Sequence, residues 1–462
     1  MQLEPPVRAS RLAPLAPQHE EGCVPATKMN NVQPNRRASA LKPLFVLAAD
    51  DALVAWRAAF ARPSAIPAPA GNPVTPQKVD LGRTLFMDTR LSGDGTMACV
   101  TCHDPALSFS DGVARRLAHD GEPLPRRTPS LWNLAWGLTF FWDGRAPSLE
   151  AQASGPIENR REMGGDIARA AARLAADPAI ATRFAAAFPD DPRVTEDHIR
   201  AALASFERTL VSPMTRFDRW LEGDEAALDA DERSGFALFV GKAGCVACHK
   251  GWRFTDEAFH DIGLAGADRG RGEELKLAAA DHAFKTPSLR ERVWTAPYMH
   301  DGSLASLEAV VAHYAEGVVR RSTLSADLKA RLDLSPEERG QLVAFLATLS
   351  SDDPPRPAAL PARVQTLGAP AGPAIAASEI RQKGRRFSPG SVMVAAGQAL
   401  RFVNDDTRTH NIRVDDPRLP AFSEAQEPGD TVMLGFPEAG EFAVTCGIHP
   451  EMRLAVTVRP SP

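Results

Sequence analysis

Five of the six cysteines in this 462-residue chain fall in patterns that bind metals. Cys99-Val-Thr-Cys102-His103 and Cys245-Val-Ala-Cys248-His249 both have the C-x-x-C-H spacing of a c-type haem attachment site. Two thiols so spaced form thioethers to the two vinyl groups of one haem, and the adjacent imidazole lies on the iron. A zinc site built from two C-x-x-C pairs would leave both following histidines without a purpose. Nearer the C-terminus, His410, Cys446, His449 and Met452 form an H…C-x-x-H-x-x-M set. Two imidazoles, one thiolate and a weak thioether describe a type 1 copper site. Cys23 is left alone, which excludes a disulfide framework.

The haem motifs open two copies of one unit. Thr128-Pro129-Ser130-Leu131 recurs as Thr286-Pro287-Ser288-Leu289, an offset of 158 (286 − 128). The same offset carries Trp142-Asp143-Gly144 onto His300-Asp301-Gly302, and Ser148-Leu149-Glu150-Ala151 onto Ser306-Leu307-Glu308-Ala309, without a gap. Extended, it sets Pro156 opposite Tyr314. If this helix lies over each haem, Tyr314 offers the second iron a phenolate, whereas proline has no atom that binds metal. One iron is then closed and the other open to peroxide or another small ligand. Gln152, one helical turn before Pro156 and on its face, is placed to orient that ligand. Glu162 is placed to take a proton from one peroxide oxygen and return it to the other. Without the repeat, Glu162 would read as a surface carboxylate. Trp142, lying in the repeat between the two haem units, reads as an electron relay or a core aromatic.

The rest of the chain must position these groups. Residues 1–50 are rich in Pro, Ala and Arg and read as disordered or as a leader, with Asn35-Arg36-Arg37 ahead of a short apolar run. Covalent haem attachment implies export to the periplasm, because c-type maturation occurs outside the cytoplasm. Asp51–Arg62 is expected to be a helix on the first haem unit, with an extended Pro63–Pro76 and a short helix Lys78–Phe86 after it. Helical patterns follow over Ile167–Phe188, Glu196–Leu221, Ala227–Val240 and Ser335–Leu349. Asp352–Ala377 reads as a Pro/Ala linker. Beyond it, Ser391–Ala395, Ala399–Asn404, Thr431–Phe436 and Glu441–Thr445 are short strand-like runs, which predict a small β-sandwich. A net charge of −5 without a basic run gives no reason to expect nucleic acid. No apolar stretch approaches a membrane span.

Residues 50 to 350 resemble the bacterial di-haem cytochrome c peroxidase and MauG family. The resemblance rests on Leu81-Gly82-Arg83, Asp88-Thr89-Arg90-Leu91-Ser92, Phe141-Trp142-Asp143-Gly144-Arg145-Ala146 and Thr295-Ala296-Pro297-Tyr298-Met299-His300. It implies two tandem, mostly α, class I-type cytochrome c domains, and the C-terminal part is similar to the cupredoxins, with an amicyanin-like final loop. The expected divisions are 51–195, 196–351, a linker at 352–378, and a copper domain at 379–462. By resemblance His103 and His249 are proximal ligands, Trp142 lies between the haems, and Gln152, Pro156 and Glu162 line the peroxidatic pocket. Peroxidases of the family place methionine where this chain has Tyr314, and MauG-like members place tyrosine. Met299 and His313 are rival ligands. His119 matches a displaceable loop ligand of the peroxidases and reads equally as a solvent-facing histidine. Arg127 stands where the family's inter-haem calcium site has asparagine, and a guanidinium cannot ligate a cation.

The implied activity is reduction of hydrogen peroxide at the His103 haem, with electrons passed through the His249/Tyr314 haem and the copper. One alternative is MauG-like oxidation of side chains on a partner protein. Another is a non-catalytic electron-transfer protein. Each requires an external redox protein, as electron donor or as oxidation substrate.

Overall fold

The structure is a computed structural model that describes residues 54–328, 332–355, 364–367, 375–419 and 422–460. Cys23 and the leader-like segment lie outside them.

Each haem-motif unit is built on a pair of crossing helices, and a glycine permits each crossing. In the first unit Pro76–Phe86 crosses Glu196–Arg208. A Cβ on Gly82 would lie 2.0 Å from the Ala202 carbonyl oxygen. In the second unit Ala230–Val240 crosses Pro336–Ala347, and a Cβ on Gly235 would lie 2.0 Å from the Gln341 carbonyl oxygen. Any side chain there would force the backbones apart. The helix starts are encoded locally: Thr75, Thr195, Asp229 and Ser335 each accept an amide hydrogen bond as N-caps. Pro76 and Pro336 sit in first turns, where no amide is needed.

This pairing corrects the division expected at residue 195. Ile199, Leu203, Phe206 and Leu210 belong to the same core as Leu81, Leu85 and Phe86. The first unit's core therefore extends to about residue 210. The leading helix, residues 54–60, is a second correction, because it packs on the second unit rather than the first. Phe60 is fully buried against Phe217, Phe236 and Phe254. That aromatic cluster offers Trp56 and Phe60 tilted and edge-on ring contacts. The two long alanine-rich patterns also split. Helices Ile167–Ala175 and Pro178–Ala187 are separated at Asp177, which caps the second of them. Helices Glu196–Arg208 and Arg216–Leu221 are separated by a stretch holding Pro213, which has no amide to continue a helix.

The C-terminal part is a two-sheet sandwich. One sheet runs in the order Phe422–Gln426, His410–Val414, Gly440–Cys446, Arg453–Arg459, Ser391–Ala395, Ile375–Ala376. The other runs Thr431–Gly435, Ala399–Asn404, Glu379–Gln382, Phe387–Ser388. Alternation sets the inner face: Leu454, Val456 and Val458 point in from one strand, Leu400 and Phe402 from another. The linker-like segment is not wholly irregular. Val364–Leu367 pairs in parallel with Ile66–Pro69, so it returns to the start of the haem region.

Arg290 is fully buried and donates to both Asp218 carboxylate oxygens, at 2.8 and 2.7 Å. Burial works to raise the Asp218 pKa, but the charge and hydrogen bonds of Arg290 prevail and hold it below the usual range. Arg290→Ala is expected to lower the unfolding free energy by about 3–5 kcal/mol, since the carboxylate stays buried with Arg62 as its remaining cation. Urea unfolding of the haem-loaded protein measures this. A depressed carboxylate stabilises above its unfolded pKa and loses that contribution as pH falls through the folded one, so the deficit should shrink in acid.

Candidate active site and metal centres

A cavity of about 520 Å³ lies where the two haem units meet. Cys99, Cys102 and His103 line it from the first motif, and Trp142, Gln152, Pro156 and Glu162 line it from the chain that follows. The second unit contributes Arg253, Lys285 and Arg292. His103 Nδ1 donates to the Phe109 carbonyl at 2.9 Å, which leaves Nε2 as the ligating nitrogen. Burial lowers its pKa and keeps the imidazole neutral. His249 is held in the same way, Nδ1 to the Phe254 carbonyl at 2.8 Å, with its pKa also lowered by burial. Burial pushes the Cys99 thiol up to about 12, so it is a poor thiolate but well placed as a thioether.

The cavity fits a haem in its polar lining as well. Among the described residues, Arg127 Nε and Glu207 Oε2 are buried in its wall without a hydrogen-bond partner. Arg292 is lowered to about 10, first by burial and then by the neighbouring Arg127 charge. Arg127 is buried and Arg292 half-buried, and their charges repel each other; the propionates of a haem would be anions suited to this wall. Burial raises Glu207 to about 8, so at neutral pH it carries a proton to donate. The sequence marks neither Glu207 nor Arg292. The only signal is a charged pair, Glu207-Arg208, interrupting an apolar helix face.

The repeat is visible in the helices over the two sites. Ser148 caps Leu149–Glu158 by accepting the Ala151 amide at 3.1 Å. Ser306 caps Leu307–Ala312 by accepting the Ala309 amide at 3.2 Å. The second helix continues as a π-helical turn, His313–Gly317, a distortion often found at functional positions. Within that turn Tyr314 is raised in pKa by burial and then by Cys248 and Cys245, which lie within electrostatic reach of its phenol. Its rival His313 is turned away, with Nε2 bonded to the Ile262 carbonyl at 3.0 Å. Met299 sits in a left-handed turn (φ 72°) just before His300.

Glu162 follows the first of these helices. Its Oε1 accepts from Asn159 Nδ2 at 2.6 Å, and burial raises its pKa. Trp142 bridges the units: Nε1 donates to the Arg127 carbonyl at 3.0 Å, and its own carbonyl accepts the Lys285 amide at 2.9 Å. His300 stacks on Phe284 with centroids 3.6 Å apart and meets the Trp142 ring edge-on at 6.5 Å. His119 is exposed and does not line the cavity. The Arg127 amide donates to the His300 carbonyl at 2.8 Å, while Nη2 donates to Ser110 Oγ at 2.9 Å.

At one end of the sandwich, His410 Nδ1 and His449 Nδ1 are 3.1 Å apart, and Cys446 Sγ lies 3.8 and 3.7 Å from them. Bonds of about 2.0 Å to nitrogen and about 2.3 Å to sulfur span a triangle of this size around one ion. Strand pairing produces it. Ile412 opposes Cys446, so His410 lies two residues further along, beside the loop carrying His449 and Met452. The Asn411 and His449 amides both point at Cys446 Sγ, at 3.3 and 3.4 Å. His410 Nε2 bonds to Asp406 Oδ2 at 3.2 Å, leaving Nδ1 for metal. Met452 is buried in the same core cluster as Cys446. The donor set and its spacing fit copper. A further trio, Cys248, Asp256 and His260, lies within 4.8 Å, but its sulfur belongs to a haem motif.

A family model described as di-haem cytochrome c peroxidase matches residues 76–226. The methylamine utilization protein MauG of Methylorubrum extorquens is 52% identical over 303 residues, covering 65% of this chain and 86% of that protein. The cytochrome c551 peroxidase of Nitrosomonas europaea is 37% identical over 61% of this chain and 83% of its own length. Among solved structures, a MauG-like protein associated with microbial copper homeostasis superposes with a TM-score of 0.58 at 32% identity, covering 63% of this chain and 94% of that one. With two attachment motifs, a shared cavity and relatives matched over most of their length, the chain belongs to the di-haem cytochrome c peroxidase and MauG family of oxidoreductases.

Proposed function

We propose that the chain is an exported, peroxide-using oxidoreductase that works at the His103 side of the shared cavity and draws electrons through the Tyr314 side and a type 1 copper. The observation that carries this reading is the asymmetry of the repeated helix: Pro156 lines the first cavity, while Tyr314 stands beside Cys245 and Cys248. Haem held by Cys99, Cys102 and His103 supplies the redox chemistry, and the chain's own side chains supply the rest. Gln152 presents an amide that orients peroxide beneath a residue with nothing to compete for the iron. Glu162 as carboxylate would take the proton of one peroxide oxygen and hand it to the other, which leaves as water; two electrons and two further protons would release the remaining oxygen as a second water. Trp142, in contact with backbone of both units, is suited to pass electrons between them. Attachment of both haems through cysteine supports export, and no helix among the described residues is long and apolar enough to cross a membrane.

A second reading has its own support. The tyrosine at 314 and the 52% identity to a protein named for methylamine utilization favour oxidation of side chains on a partner protein. Mixing the fully reduced protein with peroxide separates the two. Rapid turnover with oxidation of copper and both haems supports peroxidase activity. A long-lived oxidised state, quenched only by one particular protein, supports the other.

Glu162→Gln keeps the shape and the Asn159 contact but removes the proton carrier. The rate constant with peroxide should fall by about 10²–10⁴-fold, read by stopped-flow absorbance. Burial raises the Glu162 pKa, so the wild-type rate should drop as pH falls through that raised value. The variant should lose this dependence. A variant with an unchanged rate would remove Glu162 from the reaction.

Electron paramagnetic resonance of the resting protein should show one high-spin haem, one low-spin haem and a type 1 copper signal. Tyr314→Phe should change the low-spin haem alone, and Pro156→Ala the high-spin haem alone. Two low-spin haems that neither variant alters would contradict the ligand assignment.

A further inference from the structure

The loop that carries the copper ligands is covered by the haem region. The Phe259 amide donates to the Ile448 carbonyl at 3.2 Å. Arg271 Nε donates to the Gly447 carbonyl at 2.8 Å, while its Nη1 donates to the carbonyls of Asp143 and Gly144 at 2.9 Å. Leu275, from the haem region, belongs to the sandwich's own apolar core. His449 is 4% exposed and His410 0%. An outside redox partner would have to approach these imidazoles, and their edges are already occupied.

Behind the loop, a file of buried polar groups joins the two centres. His410 Nε2 meets Asp406 Oδ2 at 3.2 Å, and the same oxygen accepts the Arg385 amide at 2.9 Å. Arg385 Nη1 donates to Asp256 Oδ2 at 2.7 Å, and that oxygen meets His260 Nε2 at 2.9 Å. Asp256 and His260 lie beside Cys248 Sγ, all within 4.8 Å. Arg385 also pairs with Asp327, which it shares with Arg408. Its backbone is left-handed, φ 58°, an unfavourable conformation for a residue with a Cβ. Such a conformation persists only where surrounding contacts over-determine it.

We propose that the sandwich is a permanently docked redox partner of the second haem unit, with Arg385 as the positioning residue that holds His410 on one hydrogen-bonded path to His260, beside Cys248. This rests on the copper reading above. The step is a single electron transfer: copper(I) is oxidised to copper(II), and iron(III) of the His249 haem is reduced to iron(II). No bond forms or breaks, and no proton passes between the centres. A one-electron donor reloads the copper, and peroxide is the terminal oxidant.

The test uses the full chain with both haems and copper bound. A laser-photoreduced flavin delivers less than one electron per molecule, and absorbance follows redistribution between copper and haem. A first-order phase independent of protein concentration is expected, with the Phe259 amide protected in hydrogen exchange. Arg385→Ala should slow or abolish that phase and expose Phe259, and Arg385→Lys should restore part of both. Unchanged haem and thiolate–copper absorption bands would show that the variants are folded and loaded. A phase that scales with protein concentration overturns the docking, as does an Arg385→Ala protein with wild-type rate and protection. Absence of the thiolate–copper band in the wild type overturns the copper reading instead, and with it the transfer. Phe259 protection in that copper-free protein would still decide whether the sandwich is docked.

Discussion

Glu257 fixes the seam on which both haem sites depend. Its carboxylate is buried between Arg253 Nη2 and Lys285 Nζ, both at 2.7 Å, and accepts the Leu138 amide at 2.9 Å. Burial works to raise its pKa, but Lys285 and Arg253 outweigh burial and keep it ionised. Arg253 reaches on to the Trp136 carbonyl, so the cluster binds residues 136–138 of the first unit to three positions of the second. A buried ion cluster of this kind stabilises little relative to apolar packing, because desolvation offsets most of the attraction. What it provides is register. A shift of the seam would strand a carboxylate or a cation, whereas apolar surfaces would slide and repack. The cavity wall is assembled across that seam, so its shape follows from where Glu257 holds the two halves.

Register matters because the two halves are alike in framework and unlike in one residue. Both have a glycine-crossed helix pair, both lock the haem-motif histidine through Nδ1 to a carbonyl, and both cap the covering helix with serine. Similarly capped helices hold Pro156 in one case and Tyr314 in the other. The π-helical turn at His313–Gly317 is a backbone departure between the covering helices, and within it His313 bonds to the Ile262 carbonyl.

Much of this was legible in the chain because the determinants are local or periodic. Two C-x-x-C-H motifs, an ungapped offset and a spaced ligand set need no tertiary information. The helix caps at Thr75, Asp229 and Ser335 are likewise readable from one or two neighbouring residues. What was not legible was which surfaces meet. The periodicity of residues 54–60 announces a helix, but only the aromatic cluster around Phe254 determines that it joins the second unit. Glu196–Arg208 looks in sequence like the start of a new domain, yet the Gly82–Ala202 approach assigns it to the first. The strand His410–Val414 is marked only by the spacing of its histidine, because its buried residues include His410 and Asn411, which break an apolar alternation. His410 belongs to the buried cluster with Cys446 and His449, so that cluster is what interrupts the strand's signature.

The same reasoning applies to the sandwich as the tethered redox partner proposed above. Two separate proteins must find each other's redox faces, and orientation alone slows specific association well below the diffusion limit. A tether replaces that search with a high effective concentration. Here the chain goes further than tethering: Val364–Leu367 pairs with Ile66–Pro69, Arg271 spans from Gly447 to Asp143, and Leu275 enters the sandwich core. Each of these contacts would be pointless in a domain that swings free. Arg271 is held at about 10 chiefly by burial, a cost accepted only because its donors satisfy three carbonyls from both parts of the chain at once. Those carbonyls belong to Gly447, next to Cys446, and to Asp143 and Gly144, next to Trp142. The guanidinium that fastens the Cys446–Met452 loop thus also braces the turn that carries Trp142 between the two units.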